Sequence, residues 1–198
     1  MGRTGAVSPA RFALALAAAC LLGAASPAAT RYVVDDAASN VSARVAFFGL
    51  GSKTADFPDV SGTARLSATD PQQIDLEVSI DARTLTAPDK TTRDRLRGER
   101  FFWVEKYPTV RFQGNRMVLK PDGRNGTVQG RLTARGVTKP VVLTIAFDNP
   151  PASIAPGAPI TLTGETRIDR YEFGMKSYSL IVGRNVTIKL QARLRPTG

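Results

Sequence analysis

The residues available for chemistry in this chain are limited by two absences. The sequence of 198 residues contains no histidine, and its one cysteine, Cys20, lies inside an apolar run near the amino terminus. Histidine and cysteine supply the commonest ligands of zinc, copper and haem, and one partner of every Ser-His or Cys-His nucleophile pair. The sequence therefore predicts no metal and no cofactor, and it excludes most hydrolase chemistry.

Carboxylates, lysines and tyrosines remain as candidates for acid-base catalysis. An enzyme acting on a lipid or a quinone would need buried Asp and Glu side chains that converge with Tyr107 or Tyr178. No pattern in the sequence indicates such a cluster. We therefore expect a protein that is not an enzyme and has no catalytic residues, and the lipid or quinone enzyme stays as the alternative hypothesis.

Arginines form the densest charged segment of the chain. This basic segment contains Arg93, Arg95, Arg97 and Arg100, interrupted by Asp94 and Glu99. Guanidinium binds phosphate through two parallel hydrogen bonds, so Arg93, Arg97 and the more distant Arg170 are candidate contacts to a diphosphate or other headgroup. The competing interpretation is ion pairing along a solvated helix.

The net charge is +10, from 27 Lys and Arg against 17 Asp and Glu. Such a charge suits transient contact with anionic lipid headgroups, and it equally suits a well-solvated surface. The basic residues are dispersed among predicted strands, which argues against a nucleic-acid partner.

The first 29 residues are predicted to be a cleaved signal peptide. Arg3 and Arg11 precede an apolar run from Phe12 to Ala25, and small residues follow it. The run is too short for an ordinary membrane-spanning helix. We expect a periplasmic or secreted protein with one domain at 30–198, and acylation of Cys20 stays open as an alternative to a soluble fate.

Alternation of apolar and other residues dominates the rest of the chain and predicts eight or so strands, each buried on one face. The runs are Val41/Ala43/Val45/Phe47, Ala64/Leu66/Ala68, Ile74/Leu76/Val78/Ile80, Val110/Phe112, Val128/Leu132/Ala134, Val141/Leu143/Ile145/Phe147, Ile160/Leu162/Thr166/Ile168 and Val186/Ile188/Leu190/Ala192/Leu194. Turn signals between them include Gly49 to Ser52 and Asn125-Gly126, the latter typical of a type I′ hairpin. An all-β antiparallel barrel is favoured over a sandwich.

One segment departs from this period. Residues 88–104 lack strand alternation, and the part from Asp89 to Gly98 predicts one or two helical turns capped by Asp89 or Thr91. The aromatic residues Phe101, Phe102 and Trp103 follow at once. We expect this segment to close or line one end of the barrel, with Trp103 at a rim where its N–H can stay in water.

Four ordered motifs make the chain similar to the YceI-like family. They are Arg93-Asp94-x-Leu96-Arg97-x3-Phe101-Phe102-x4-Tyr107-Pro108-Thr109-Val110-x-Phe112, Gly130-x-Leu132-Thr133-x2-Gly136-Val137-Thr138-Lys139-Pro140-Val141, Ile168-Asp169-Arg170-x2-Phe173-Gly174-Met175, and Val34-Asp35 with Ser39-x-Val41. The resemblance implies an eight-stranded antiparallel lipocalin-like barrel that binds polyisoprenoid or other long-chain lipids, often as a homodimer. Family members often carry histidines where this chain has Ala38 and Phe47-Phe48, so any role of those histidines is absent here.

A barrel of this size either fills with its own side chains or holds one slender ligand. Small residues predicted to point inward favour a channel, namely Ala43, Gly62, Ala64, Ala68, Gly130, Ala134, Gly164 and Ala192. The predicted ligand-binding residues are Val45, Phe47, Leu76, Phe101, Phe102, Trp103, Leu143, Ile145, Ile168, Phe173, Ile188 and Leu190. The expected function is to hold an isoprenoid for transport or storage. The competing hypotheses are that these residues merely pack, and that the barrel is a stress-related interaction scaffold.

Overall fold

The computed structural model describes residues 30–49, 51–67, 70, 72–155 and 157–197. The predicted signal peptide and Cys20 lie outside the described residues, so export and the boundary at residue 30 stay predictions.

The described part of the chain forms ten strands and one α-helix. The strands are β1 (Thr30–Val34), β2 (Asn40–Phe47), β3 (Gly51–Phe57), β4 (Val60–Leu66), β5 (Gln73–Asp81), β6 (Thr109–Leu119), β7 (Asn125–Ala134), β8 (Val137–Phe147), β9 (Ile160–Asp169) and β10 (Val182–Pro196). The helix α1 spans Lys90–Arg97, and short 3₁₀ turns lie at Asp36–Ala38, Ala82–Thr84, Pro151–Ser153 and Arg170–Phe173.

Eight of these strands close into an antiparallel barrel. The order around the ring is β1-β4-β5-β6-β7-β8-β9-β10, and β10 pairs back with β1. The long β10 pairs with β9 on one edge, and on its other edge it pairs with β2 and then β1. Strands β1 and β2 therefore occupy one position of the barrel in succession, and β3 and β4 occupy the next. The predicted eight-stranded barrel is confirmed.

The barrel wall is incomplete beside β3, and α1 lies there. Strand β3 pairs with β2, and within the described residues its other edge carries a single bridge, from Asp56 to Thr86. The Lys53 ammonium on β3 lies 3.0 Å from the Asp89 carboxylate at the start of α1. Helix α1 thus covers one end of the barrel, as the sequence predicted.

Helix α1 has a clear start and a clear end. The Asp89 carboxylate accepts a hydrogen bond from the Thr92 backbone N–H at 2.8 Å, which confirms Asp89 as the cap. Lys90 pairs with Asp94 one turn later at 2.6 Å. The chain leaves the helix at Gly98, whose N–H donates to the carbonyls of Asp94 and Arg95.

The turn predicted at Asn125-Gly126 was wrong. Asn125 and Gly126 lie inside β7, because the Asp122 carboxylate accepts from the backbone N–H groups of Arg124 and Asn125 and turns the chain earlier. The two-residue turn with positive φ at both positions is instead Arg135-Gly136, with φ of 51° and 73°.

Strand β3 was missed by the sequence analysis. Its first two residues, Gly51 and Ser52, had been assigned to a turn, and the strand alternates too weakly to be recognised. The actual turn between β2 and β3 contains Phe48 and Gly49, which have φ of 55° and 70°. Its place in the sheet comes from pairing with β2, which local sequence does not encode.

Candidate functional site: the barrel cavity

The barrel encloses a cavity of about 470 Å³. Inward side chains of all ten strands line it, and most of them are aliphatic or aromatic. The strand residues facing it include Tyr32, Val41, Val60, Leu76, Phe112, Met117, Val128, Leu143, Ile145, Ile160, Ile168, Ile188, Leu190 and Leu194. The volume lies within the usual range for pockets that enclose a small ligand.

Three segments surround one end of this cavity, and we call them together the mouth rim. They are the tip of the β2–β3 hairpin (47–49 and 51–53), α1 with its flanks (89–100), and the segment before β10 together with its first residue (176–182). Each contributes cavity-lining residues, namely Phe47 and Lys53, then Asp89, Thr91, Thr92, Arg95 and Leu96, and lastly Tyr178, Ile181 and Val182.

Direct contacts join the three rim segments. Lys53 contacts Asp89, and the Arg95 guanidinium lies 5.6 Å from the centre of the Tyr178 ring. The Phe48 backbone N–H donates to the Ile181 carbonyl at 2.7 Å. The mouth rim is therefore one connected surface, although its parts are far apart in sequence.

Two of the three aromatic residues predicted to close or line one end of the barrel, Phe101 and Phe102, line its cavity. Phe101 is 6% exposed and stacks on Tyr178, with the ring centres 5.9 Å apart. Phe102 meets Phe57 edge to face at 5.6 Å. Both rings line the cavity together with Leu96 of α1, and we call the two rings the aromatic wall.

Ten of the twelve residues predicted to bind ligand line the cavity. These are Val45, Phe47, Leu76, Phe101, Phe102, Leu143, Ile145, Ile168, Ile188 and Leu190. Nine of them are either strand residues on the inward face or part of the aromatic wall, and Phe47 ends β2 at the rim. Their contact with a ligand stays a prediction.

Trp103 and Phe173 lie outside the cavity lining. Trp103 has a φ of 50°, and its ring contacts Tyr107 edge to face at 5.8 Å and the Lys106 ammonium at 4.5 Å. Phe173 is 1% exposed in a 3₁₀ turn, where it packs with Met175 and Leu132 in the core. Both residues lie outside the strands, so strand alternation does not predict which way their side chains point.

Arg170 lines the cavity, but its guanidinium is hydrogen-bonded to backbone carbonyls of the segment that leads into β10. It is 2% exposed, and its guanidinium donates to the carbonyls of Gly183, Ser177 and Val182, each at 2.9 Å, and to that of Met175. Burial lowers the pKa of this guanidinium. Since four of five N–H groups are engaged, Arg170 is poorly placed to bind a headgroup, and its observed role is to hold the segment leading into β10.

Arg93 and Arg97 also lie outside the cavity lining. Arg97 donates to the Leu85 carbonyl at 3.1 Å, and the Arg93 Nε lies 3.7 Å from the Asp94 carboxylate. The Nε atoms of both arginines are buried and have no hydrogen-bond partner within the described residues. The arginine of α1 that lines the cavity is Arg95, which lies two residues from each of the predicted headgroup contacts Arg93 and Arg97.

Small residues shape the cavity unevenly. Ala43, Ala64, Ala134 and Ala192 line it. Gly130 and Gly164 do not leave open space, because a Cβ at Gly130 would lie 2.6 Å from the Phe112 ring and one at Gly164 would lie 3.0 Å from Leu190. A Cβ at Gly62 would lie 2.4 Å from the Glu77 carbonyl, so this glycine permits close strand contact; Ala68 lies outside the described residues.

One carboxylate lines the cavity in the described part of the chain, that of Asp89. Hydrogen bonds from the Thr92 backbone, the Lys53 ammonium and the Thr92 hydroxyl, in that order, lower its pKa to about 2. Such a carboxylate is a poor proton acceptor at neutral pH. Tyr178 contacts Phe101 and arginines instead of acids, and Tyr107 packs on Trp103, so neither tyrosine meets a convergent carboxylate pair among the described residues.

The described residues offer neither a metal site nor a membrane-spanning helix. They contain no group of three or more His, Cys, Asp or Glu side chains able to hold a metal ion. Their one α-helix, with eight residues, is too short and too polar to cross a bilayer.

The sequence and the fold were compared with known proteins. Residues 32–194 match the family described as the YceI-like domain. A UPF0312 protein of Photorhabdus laumondii is 30% identical over 129 residues, which cover 64% of this chain and 66% of that protein. This chain thus spans slightly less than two thirds of that relative.

Two solved structures have the same fold. One is BcnA of Burkholderia cenocepacia, with a TM-score of 0.70 and 24% identity over 81% of this chain and 98% of BcnA. The other is described as a polyisoprenoid binding domain from Saccharophagus degradans, with a TM-score of 0.63 and 13% identity over 84% of this chain and 98% of that domain. The match over residues 32–194 and the shared barrel establish that the chain belongs to the YceI-like family.

Proposed function

We propose that this protein binds one long-chain lipid of the isoprenoid type, a polyisoprenoid or a quinone with an isoprenoid tail, and holds it for transport or storage. The observation that carries the proposal is the apolar cavity of about 470 Å³ that runs inside the barrel to a polar mouth. The fold shared with a polyisoprenoid binding domain supports it.

Burial of apolar surface supplies the binding energy. Each CH₂ group moved from water into the cavity contributes about 0.8 kcal/mol, so a prenyl tail needs no charge pairing to bind tightly. The aliphatic walls around Leu76, Leu143 and Leu190 suit a slender chain. The polar side chains at the mouth, including Lys53, Thr92 and Arg95, leave the other end of the ligand in contact with polar groups.

A binding role suits the site better than catalysis does. The carboxylate at the mouth is that of Asp89, and its low pKa disfavours proton abstraction. The enzyme hypothesis would need a second titratable group directed at the same point. The scaffold hypothesis expected an exposed flat edge or apolar patch and no cavity, and the presence of the cavity counts against it.

Export, transient contact with a membrane surface and homodimer formation belong to the same proposal. A carrier of water-insoluble lipid works between membranes, which fits a periplasmic or secreted protein. Removal of the predicted signal peptide takes away Arg3 and Arg11 and no acidic residue, and the remaining net charge of +8 supports attraction to anionic headgroups.

The test is native mass spectrometry of protein purified from its own envelope, followed by organic extraction. We expect one long-chain lipid per chain, and the same spectrum reports the oligomeric state. Protein that carries no lipid from cells, and takes none up from prenyl alcohols in solution, would contradict the proposal.

A series of prenyl alcohols of increasing length makes the test quantitative. Affinity should rise about fourfold for each CH₂ that enters the cavity and then level off when the cavity is full. An affinity that does not depend on length would place the ligand on the surface and not in the barrel.

A further inference from the structure

Two large apolar side chains at the mouth rim are exposed to solvent. Leu180 is 98% exposed and Phe48 is 61% exposed, and they are the two most exposed large hydrophobic residues of the described chain. Phe48 forms the tip of the β2–β3 hairpin, and Leu180 lies in the segment before β10. The Phe48 N–H bonds to Ile181, the residue after Leu180, so the two tips are neighbours.

Neither side chain contributes to the cavity lining. Their neighbours Phe47 and Ile181 do line it, so the exposed pair stands outside the opening, next to residues that face the interior. A lipid that enters or leaves the cavity at this end therefore passes close to Phe48 and Leu180. Isolated exposed apolar residues are ordinary, but two adjacent ones beside a cavity opening form a local apolar tip.

The backbone at Phe48 does not favour phenylalanine. Its φ of 55° lies in the left-handed region, which glycine and asparagine adopt at lower cost. The ring meets Phe47 edge to face at 4.6 Å, yet it stays largely in solvent. Folding stability therefore does not explain an aromatic side chain at this position.

The mouth rim that carries the apolar tip has a net positive charge. The three rim segments hold seven Lys and Arg against three Asp and Glu. Asp89 and Asp94 are engaged by Lys53 and Lys90. By contrast, Arg95, Arg100 and Lys176 have no carboxylate partner within the described residues; Arg95 and Arg100 contact Tyr178, and Lys176 is exposed.

We propose that the mouth rim is a membrane-docking surface, in which Phe48 and Leu180 insert into the interface of a bilayer and the unpaired rim cations contact anionic headgroups. Apolar side chains flanked by Lys and Arg are the combination that binds peripheral proteins to anionic interfaces. Docking in this orientation would bring the cavity opening against the lipid. Membrane docking itself does not depend on the proposed function, because the surface is the same whether or not the cavity is occupied. The role of docking in lipid transfer does rest on the proposed function.

The experiment is sedimentation with vesicles of phosphatidylcholine alone or mixed with phosphatidylglycerol. The protein is purified in the form that cells produce. Mass spectrometry of the intact protein shows that all variants begin at the same residue. We expect binding to the mixed vesicles that weakens with added salt. The double variant F48N/L180Q should lower that affinity roughly tenfold or more, because it removes the inserted apolar area.

The matched control is V118T/V142T, which alters the two other exposed large apolar residues of the described chain, 38% and 55% exposed on β6 and β8. Threonine keeps their shape and strand preference, and binding should not change. A second variant, R100Q/K176Q, should lower the affinity for the mixed vesicles about twentyfold or more. Its binding to vesicles of phosphatidylcholine alone should equal that of the unaltered protein.

Three results would overturn the docking surface. The first is an equal loss of vesicle affinity in F48N/L180Q and in V118T/V142T. The second is no vesicle binding by the unaltered protein. The third is a change of oligomeric state in F48N/L180Q while its vesicle binding persists. The last result would assign the apolar tip to a second copy of the chain.

Binding of a short prenyl alcohol in solution, without vesicles, separates this proposal from the proposed function. F48N/L180Q should bind it as the unaltered protein does, since neither residue lines the cavity. Failure of prenyl binding together with intact vesicle docking would reject the lipid carrier and keep the docking surface. Thermal unfolding of each variant confirms that it is folded.

Discussion

At the scale of single residues, Arg170 holds one of the three segments of the mouth rim in place. Its side chain holds carbonyl groups on both sides of the segment 176–182, and that segment carries Tyr178 and Leu180. The guanidinium also lies 5.9 Å from the centre of the Phe101 ring. One buried cation thus connects β9, the rim and the aromatic wall.

Replacing Arg170 by methionine should destabilise the protein by about 3 kcal/mol or more, because several buried carbonyls lose their donor at once. For a domain of this size, the melting temperature should fall by roughly 6–12 °C. Calorimetry measures both.

The matched control is Arg184→Gln. Arg184 pairs with Asp169, but its side chain is 63% exposed, so its loss should cost less than about 1 kcal/mol. Equal melting temperatures for the two variants would show that the buried hydrogen bonds of Arg170 do not support the fold.

At the scale of elements, α1 is attached to the barrel by few polar contacts, and Asp89 makes one of them. Its carboxylate caps the helix and binds Lys53 of β3. Both contacts require the ionised form, which is why the pKa of Asp89 falls to about 2. The attachment of the helix therefore depends on pH.

The sign follows from the lowered pKa. Asp89 stabilises the folded state fully above its ordinary pKa of 3.8, and this contribution is lost as pH falls from about 4 towards 2. Asp89→Ala should therefore melt a few degrees below the unaltered protein at pH 7, and the gap should narrow steadily below pH 4.

Melting curves recorded from pH 7 to pH 2 check this prediction. Lys53→Met serves as the comparison, because it removes the ion pair with β3 and keeps the helix cap. A gap for Asp89→Ala that is the same at pH 2 and pH 7 would contradict an ionised cap.

At the scale of the whole molecule, the barrel must stay folded around a space that its own side chains do not fill. Residues of the three core clusters line that space, and the stability of the fold comes from their packing against one another. A bulky side chain introduced towards a real cavity should find room. The same side chain introduced into a packed core should cost about 1–3 kcal/mol.

Ala43→Phe applies this distinction. Ala43 lines the cavity from β2, so phenylalanine should lower the affinity for a long prenyl alcohol tenfold or more while changing the free energy of unfolding by less than about 1 kcal/mol. Fluorescence titration and chemical denaturation measure the two quantities.

The control for this variant is the preceding residue of the same strand. Ser42 lies outside the cavity lining, and Ser42→Phe should leave the affinity unchanged. If Ala43→Phe destabilised the fold by several kcal/mol instead, the barrel would be a packed core and the binding proposal would fail.

Local sequence determined the strands with strong alternation and the direction of their side chains, because a strand places every second residue on one face. For that reason Leu143, Ile145 and Leu190 were correctly expected to point inward. The helical segment could be predicted for a similar reason, since a cap, lack of alternation and a terminal glycine are all local signals.

Only the tertiary structure decided the parts that depend on distant partners. Whether Arg95 or Arg97 faces the cavity depends on how α1 is rotated against β3, and Arg170 was a plausible headgroup contact until its partners in the segment before β10 were known. Strand β3 exists through its pairing with β2.

The mouth rim is the clearest case. Phe48 and Leu180 become one surface through the hydrogen bond between Phe48 and Ile181, which joins a hairpin near the start of the chain to a segment near its end. The sequence by itself determined strands with one apolar face and a capped helical segment, because periodicity and capping act between residues close in the chain. Barrel closure alone brought the cavity, its mouth and the exposed tip together, because these depend on contacts between residues that are distant in the chain.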